Sequence, residues 1–194
     1  MKAVVFSMEA SGLQEISNPA GLFLEERSND ASGSVVCACL EGNRPILVEV
    51  QALVAKTPYG MPRRTAVGFD YNRVTMLLAI LERRLGMDFG AYDAYVNVVG
   101  GMRVTEPAAD LAVAAALVSS YRNRPIPHGV LVMGEVGLTG EVRRIGSPER
   151  RIKDAMNLGF KRFVLPMGKL SLDEPCNGIV QVKTLEEALD KVFA

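Results

Sequence analysis

The sequence is poor in the residues that build metal centres and disulfide frameworks. Its 194 residues include three cysteines, an odd number that argues against a disulfide framework. Cys37 and Cys39 share one face of a predicted strand, where packed thiols are the expected role. The single histidine, His128, lies in the loop sequence RPIPHG, where a solvated group is expected. No zinc spacing of cysteines is present, so we expect no metal and no cofactor in this chain.

Three further absences limit the possible functions. The longest fully apolar run, residues 111–118, is too short for a membrane span or a signal peptide, so we expect a cytoplasmic protein. A glycine-rich loop ending in Gly-Lys-Ser/Thr is missing, which excludes nucleotide hydrolysis at a site of that type. The 22 basic and 22 acidic residues cancel. A nucleic-acid role would therefore have to depend on local basic clusters.

Apolar runs, alternation and turn residues predict an α/β protein with many strands. The four residues EGNR separate two strong strands and predict a hairpin turn. No internal repeat or low-complexity linker is present, so residues 1–194 are expected to form one domain. Residues 20–24 are predicted as a short turn or helix, and residues 25–33 as a polar loop. The predicted strands are residues 3–8, 13–16, 35–40, 46–53, 65–67, 130–133, 137–144 (with a turn), 162–165 and 179–182.

Helix signals predict four helices between these strands. Asp70 or Asn72 is expected to cap a helix that runs to about residue 85. Ser147 is expected to cap a helix that opens with Pro148, and Thr184 to cap the last one. The fourth helix, residues 107–120, contains a run rich in alanine, and a helix that is apolar all round is a buried helix.

The stretch from residue 96 to residue 120 is expected to organise the core. A buried strand, the pair Gly100-Gly101 and a short strand precede the alanine-rich helix. Exposed N–H groups at a helix start can hold an anion or a developing oxyanion, so the loop 100–107 is the expected place for a site. Capping and dipole compensation explain Thr105, Glu106 and Asp110 in this loop without catalysis.

This loop resembles the catalytic loop of Lon-type proteases. Those enzymes have Pro-Ser-Ala-Gly at the helix start, and a downstream lysine activates the serine. Here the run is Pro107-Ala108-Ala109-Asp110, and an ungapped match puts Glu149 at the lysine position. Both members of the dyad are absent, and Lys153, one turn further on, has no hydroxyl to activate. The resemblance therefore argues against peptidase activity.

One branch of the Lon-like domains departs in this way. The chain resembles the C-terminal domain of the RadA (Sms) family of bacterial DNA repair and recombination proteins. This resemblance implies a Lon proteolytic-domain-like α/β sandwich, taken from the end of a longer protein. It also implies a hexameric ring, contact with DNA, and ATP, Mg and Zn sites outside this chain. The matching segments are GLQEISNPAGLFL, RPILVEVQALV, PRRTAVGFDYNR, VNVVGGMRVTEPAADLA, GEVGLTGEVRRIGSPERRI and GFKRFVLP.

Two basic clusters are the expected DNA contacts. Between residues 141 and 162 there are seven lysines and arginines against three acids, and a second cluster is Arg63-Arg64. Arginine matches phosphate oxygens, so we predict binding to double-stranded DNA with little sequence preference. A solvated surface, a rearranged Lon-like peptidase and a purely structural oligomerisation module remain alternatives. The predicted contacts are Arg63, Arg64, Arg143, Arg144, Lys161 and Arg162.

Overall fold

A seven-stranded mixed sheet lies at the centre of the described part of the chain. The computed structural model describes residues 5–9, 12–16, 31–58, 60–172 and 175–194. The turn expected at residues 20–24 and most of the loop expected at 25–33 lie outside these ranges. Strands β1 (Val5–Glu9) and β2 (Gly12–Ile16) pair with each other in an antiparallel hairpin.

The order of the sheet is β11-β10-β7-β3-β4-β6-β5. Strand β4 is antiparallel to both neighbours, and the other pairs are parallel. Six strands therefore begin at one edge, here called the amino edge, and end at the opposite carboxyl edge. Two short strands, β8 (Glu135–Val136) and β9 (Val142–Arg143), pair separately. The strands of the sheet are β3 (Ser34–Glu41), β4 (Arg44–Lys56), β5 (Arg64–Val67), β6 (Tyr92–Val98), β7 (Val130–Val132), β10 (Arg162–Pro166) and β11 (Ile179–Val182).

Four α-helices are present in the described residues, and most of the expected caps form. Asp70 accepts a hydrogen bond from the Arg73 amide at 2.8 Å, and Thr184 accepts one from the Glu187 amide at 3.2 Å. The cap expected at Ser147 is wrong, because this residue is left-handed (φ 52°) and its side chain makes no capping bond. The helices are α1 (Tyr71–Leu85), α2 (Asp110–Tyr121), α3 (Pro148–Asn157) and α4 (Leu185–Val192).

Helices cover both faces of the sheet, as expected for an α/β protein. On the inner face, Val35, Cys37 and the alternate residues of neighbouring strands pack against α1, α2 and α4. On the outer face, α3 packs against β3, β7 and β10 through Ile152. The expected α/β class and the central buried helix are confirmed, since residues 111–118 of α2 are all fully buried.

The segment between β6 and α2 differs from the prediction. Residues 99–101 form a 3-10 turn in which Gly100 (φ 83°) and Gly101 (φ 69°) are left-handed, a conformation that glycine adopts without a Cβ clash. The short strand expected after this pair does not form. Residues 102–106 belong to no helix or strand, and the Val104 amide donates to the Gly68 carbonyl at 2.8 Å. A single long-range bond of this kind does not make a ladder.

Candidate functional site

The position that would carry a Lon-type nucleophile is buried and is held in place by backbone hydrogen bonds. Pro107–Ala109 forms a 3-10 turn that leads into α2, and Ala108 is buried without a hydroxyl group. The Ala108 carbonyl accepts a hydrogen bond from the Gly134 amide at 2.8 Å. The Leu111 amide returns a bond to the Gly134 carbonyl at 3.0 Å. These reciprocal bonds fasten the start of α2 to the segment after β7.

The position matched to the catalytic lysine carries a carboxylate in the first turn of α3. Glu149 is partly buried and accepts a hydrogen bond from the Ser171 amide at 3.3 Å. The helix dipole stabilises a carboxylate in this first turn. A carboxylate, however, does not supply the amine that acts as general base in a serine-lysine dyad. Lys153 lies one turn further along and lines an outer groove together with Glu149. Neither the hydroxyl nor the amine of a serine-lysine dyad is present at the matched positions.

The acidic residues Glu106 and Asp110 stabilise the fold by forming ion pairs with arginines of other elements. Asp110 is fully buried and accepts hydrogen bonds from Arg73, one of them from Nε at 2.8 Å, and from the Val136 amide at 3.1 Å. Burial raises the pKa of Asp110, and the bonds from Arg73 work against that rise. The bond to Asp110 in turn raises the pKa of Arg73. Asp110 therefore ties α1 and β8 to α2, a role that dipole compensation alone does not describe.

A second buried ion pair joins Arg151 to Glu106, and sequence reasoning did not find it. The Arg151 guanidinium is fully buried and donates to the Glu106 carboxylate, to the Ala38 carbonyl at 2.5 Å and to the Gly146 carbonyl at 2.8 Å. Glu106 also accepts from the Leu40 amide at 2.8 Å. The expected cap by Glu106 is absent, because its carboxylate turns to Arg151 instead.

These contacts occupy an otherwise unpaired edge of β3. Strand β7 pairs with β3 only at Val36, so the later Ala38 carbonyl and Leu40 amide have no strand on the side away from β4. Arg151 donates a hydrogen bond to the Ala38 carbonyl, and Glu106 accepts one from the Leu40 amide. Helical spacing could have predicted that Arg151 is buried. It precedes the buried Ala155 by four residues, so both side chains lie on the same face of α3.

The six basic residues predicted to contact DNA do not form one patch. Arg63 and Arg64 lie where β5 begins, and Lys161 and Arg162 lie where β10 begins, all at the amino edge. Arg143 and Arg144 follow the β8–β9 turn at the carboxyl edge, where the Arg144 Nε donates to the Met167 carbonyl at 3.3 Å. Parallel strands that start at one edge explain this separation, which sequence clustering around residue 144 did not reveal.

Their local contacts also differ. The Arg143 guanidinium pairs with Glu141 at 2.7 Å and is half exposed, so part of its charge is already neutralised. The Arg64 guanidinium donates hydrogen bonds to backbone carbonyls, including that of Phe89 at 2.7 Å. Arg63 and Lys161 have exposed side chains. Among the four predicted contacts at the amino edge, exposure therefore favours these two for contact with an external anion.

Asp93 fixes the backbone that presents Arg63. Its buried carboxylate accepts from the Arg63 amide at 2.8 Å and from the Thr57 hydroxyl at 2.9 Å. These bonds, led by the one from the Arg63 amide, lower the pKa of Asp93. An ionised Asp93 thus holds the start of β5 while the Arg63 side chain extends into solvent.

The amino edge carries further basic side chains that the sequence analysis did not select. Helix α2 ends at this edge, because the hydroxyl of Ser119 accepts from the Gly33 amide, just before β3, at 2.8 Å. The loop after α2 exposes Arg122, and β4 ends with the exposed Lys56. Because the parallel strands begin at the same edge of the sheet, basic residues that are distant in sequence lie at that edge together. The exposed or half-exposed basic side chains of this edge, including His128, are Lys56, Arg63, Arg64, Arg122, Arg124, His128, Lys161 and Arg162.

These side chains form a row along the sheet. Strands β10 and β5 are five positions apart in the sheet order, which at roughly 4.8 Å per strand separates Arg162 from Arg64 by about 24 Å. The loop after α2 and the end of β4 lie between these two. The acids at the same edge include Asp88, which is exposed, and Asp93, whose carboxylate turns inward. Within the described ranges these residues form an elongated, mainly basic rim, here called the amino-edge rim.

Neither a metal cluster nor a membrane helix is found within the described ranges. No group of three or more His, Cys, Asp or Glu side chains there could hold a metal ion. Within the same ranges, every helix is too short or too polar to cross a bilayer.

The sequence of this sheet and its helices matches the model of a known protein family. The family model described as subunit ChlI of Mg-chelatase matches residues 50–169, and the chain therefore belongs to this family. The match runs from β4 to the end of β10 and includes α1, α2 and α3.

Similarity to individual curated proteins covers nearly the whole chain. DNA repair protein RadA of Pseudomonas aeruginosa is 49% identical over 190 residues, which are 97% of this chain and 42% of that protein. The RadA proteins of Halalkalibacterium halodurans and Bacillus subtilis are each 47% identical, over 96% and 95% of this chain and 41% of their own lengths. The resemblance to a RadA domain is confirmed. The chain spans about two fifths of the length of these relatives.

Proposed function

We propose that this chain is a non-enzymatic, DNA-binding domain of a RadA-type DNA repair and recombination protein. The amino-edge rim is the observation that supports the proposal best. It groups four of the six predicted contacts, Arg63, Arg64, Lys161 and Arg162, with other basic side chains on one edge of a rigid sheet. The names of the relatives, DNA repair protein RadA, support the same role.

The shape of the rim suits the backbone of a duplex. A row of about 24 Å corresponds to about seven base pairs along the duplex axis at a rise of roughly 3.4 Å each. Lysine and arginine side chains on a sheet edge contact phosphates without reading base edges, so binding is expected to show little sequence preference. Because the net charge of the chain is zero, affinity depends on this local row and is expected to fall steeply with salt.

A charge-reversal experiment tests the rim. The double variant Arg63→Glu/Lys161→Glu changes two exposed side chains, and Arg143→Glu/Arg144→Glu makes the same charge change at the carboxyl edge. Binding of a labelled duplex of about 20 base pairs is measured by anisotropy at several salt concentrations. We expect about tenfold or greater loss for the first variant, a smaller salt slope, and little change for the second.

Two other outcomes would assign the function differently. Loss only in the Arg143→Glu/Arg144→Glu variant would move the DNA contact to the carboxyl edge. Undetectable duplex binding by the folded wild-type domain at low salt would leave the structural oligomerisation module as the better function. Circular dichroism of each variant shows that the fold is retained.

Ring assembly and the chemistry of the longer relatives are further parts of the proposal. We expect this domain to help hold ATPase subunits in a hexameric ring, with ATP, Mg and Zn bound outside this chain. The domain itself is proposed to need no cofactor and to act in the cytoplasm. Support comes from the RadA relatives, of which this chain spans about two fifths.

The domain is proposed to have no peptidase activity. A serine-lysine mechanism needs a hydroxyl beside an amine of lowered pKa, and the matched positions hold Ala108 and Glu149. Incubation with casein and with fluorogenic peptides is expected to give no hydrolysis. Hydrolysis that persists through repurification and follows the protein peak would support the rearranged peptidase instead.

A further inference from the structure

A groove of about 280 Å³ runs along the outer side of α3. One wall is the exposed face of the helix, and the other is the chain segment just after Leu170. The Ser171 amide donates to the Glu149 carboxylate at 3.3 Å, which holds this segment against the first turn of α3. The lining residues are Glu149, Arg150, Lys153, Met156, Asn157, Ser171 and Leu172.

The groove combines a basic rim with an apolar floor. Arg150 and Lys153 are exposed and lie three residues apart, so they project from the same helix face. Met156 and Leu172 are half-buried and pack on the core beneath α3. Among the described lining residues the acid is Glu149, whose carboxylate accepts a hydrogen bond from the Ser171 amide.

The position of Arg150 is partly fixed by the neighbouring hairpin. Its guanidinium donates to the Asn43 side-chain oxygen at 2.7 Å, in the turn between β3 and β4. Arg150 also lines the groove, so its side chain lies between this turn and the groove. Asp154 is the other acid of α3 and is half-buried, but it does not line the groove.

We propose that this groove binds an acidic peptide segment of a partner protein, with one apolar side chain inserted between Met156 and Leu172. The volume is just below the range of small-ligand pockets and accommodates a side chain with its adjoining backbone. Carboxylates of the peptide would pair with Arg150 and Lys153 at the rim. The proposal is independent of DNA binding at the amino-edge rim.

The apolar floor favours a peptide over nucleic acid. A phosphate backbone would use the two basic groups and leave Met156 and Leu172 without a partner. An acidic segment with a leucine or phenylalanine uses both halves of the groove. Charge complementarity and the half-buried apolar floor therefore point to the same ligand class.

The test uses the whole chain and a labelled probe peptide, Asp-Glu-Asp-Asp-Leu-Asp-Asp-Phe. Binding is followed by anisotropy at about 50 and 150 mM salt. The variant Arg150→Glu/Lys153→Glu is compared with Lys183→Glu/Lys191→Glu, which makes the same charge change at exposed positions away from the groove. We expect at least about tenfold weaker binding in the first and no comparable loss in the second.

A second pair of measurements tests the apolar half. Leu172→Ala, and a peptide in which Leu and Phe are replaced by Ser, are each expected to weaken binding several-fold. The proposal is overturned by unsaturated binding at millimolar peptide, or by equal losses in the groove and control variants. It is also overturned if Arg150→Glu/Lys153→Glu weakens duplex DNA binding as much as peptide binding, which would assign the groove to nucleic acid.

Discussion

Arg151 is the bulkiest of the fully buried side chains in the described residues. Its guanidinium bonds carbonyls of Ala38 and Gly146 and the carboxylate of Glu106. Burial of a charge is costly unless the charge is paired and its donors are satisfied, and both conditions hold here. The sequence analysis counted Arg151 among the basic residues of a surface cluster. In the structure, Arg151 instead stabilises the fold beside β3.

Replacing Arg151 with Met is expected to lower the free energy of unfolding by about 3 kcal/mol or more, because Glu106 and the Ala38 carbonyl lose their partner. The exposed neighbour offers a matched control, since Arg150→Met should change it by about 0.5 kcal/mol or less. Urea unfolding measures both. Equal, small effects for the two variants would contradict the structural role of Arg151.

Residue-level prediction succeeded where the signal is local. Asp70 and Thr184 cap helices because an Asx or Thr side chain reaches an amide three residues away. Ser147 fails because its left-handed backbone turns the side chain away from the helix start. Apart from Gly146, the partners of Asp110 and Arg151 lie tens of residues away in sequence, so no local pattern could identify them.

Glu141 gives a pH-dependent prediction. The Thr139 hydroxyl, with Arg143, lowers the pKa of Glu141 from 4.5 to about 2. A depressed carboxyl pKa contributes stability that is present above the unfolded value and is lost as the pH falls through the folded one. The stability difference between wild type and Glu141→Gln is therefore expected to shrink between about pH 4.5 and pH 2.

Carboxyl-detected NMR titration and unfolding at several pH values measure this effect. Thr139→Val, which removes the hydroxyl donor, should move the midpoint of Glu141 back toward its ordinary value. A midpoint near 4.5 in the wild-type protein would show that the Thr139 contact does not persist in solution.

At the scale of elements, α2 has no exposed stripe. Ten of its residues, Asp110 through Ser119, are buried, and alanines at successive positions let β3 and β4 approach closely. Its length and burial followed from composition alone, because an apolar run rich in alanine suits a helix that is surrounded by other elements.

A charge inside α2 is expected to unfold the domain. In Leu111→Asp or Ala115→Asp, an unpaired buried carboxylate costs several kcal/mol, about the whole margin of a small domain. Ala91→Asp, at an exposed loop position, is the control and should leave the melting curve nearly unchanged. Thermal melts by circular dichroism decide the point, and near-wild-type melting of both α2 variants would show that this helix is not central.

Strand positions were predictable, whereas strand order was not. Alternation and hairpin signals located β3 and β4, whose pairing depends on a two-residue turn. Nothing local specifies that β7 joins β3 at Val36, 95 residues before its partner Leu131. Because sheet order was unknown, the split of the six predicted DNA contacts between two edges was also beyond sequence reasoning.

At the scale of the whole molecule, self-association is the expected property to measure. The sheet ends in two edge strands, β5 and β11, among the described residues, and open edges can template pairing with another chain. We expect weak, concentration-dependent association of this chain, because the proposed ring would draw the rest of its interface from parts of the protein outside this chain.

Sedimentation velocity over a wide concentration range tests this expectation. A rise in the weight-average sedimentation coefficient with concentration would support association through this domain. A strict monomer at high concentration would contradict a role of this domain in the proposed ring.

The β3–β4 hairpin has a consequence for the order of folding. Its two strands are joined by a two-residue turn, while their outer partners β6 and β7 come from distant parts of the sequence. Closing a short loop has a lower entropic cost than closing a long one, so the hairpin should form early, with flanking strands added later. Kinetic analysis should then give Val48→Ala a higher φ-value than Val164→Ala, with nucleation at the middle of the sheet and growth toward both edges.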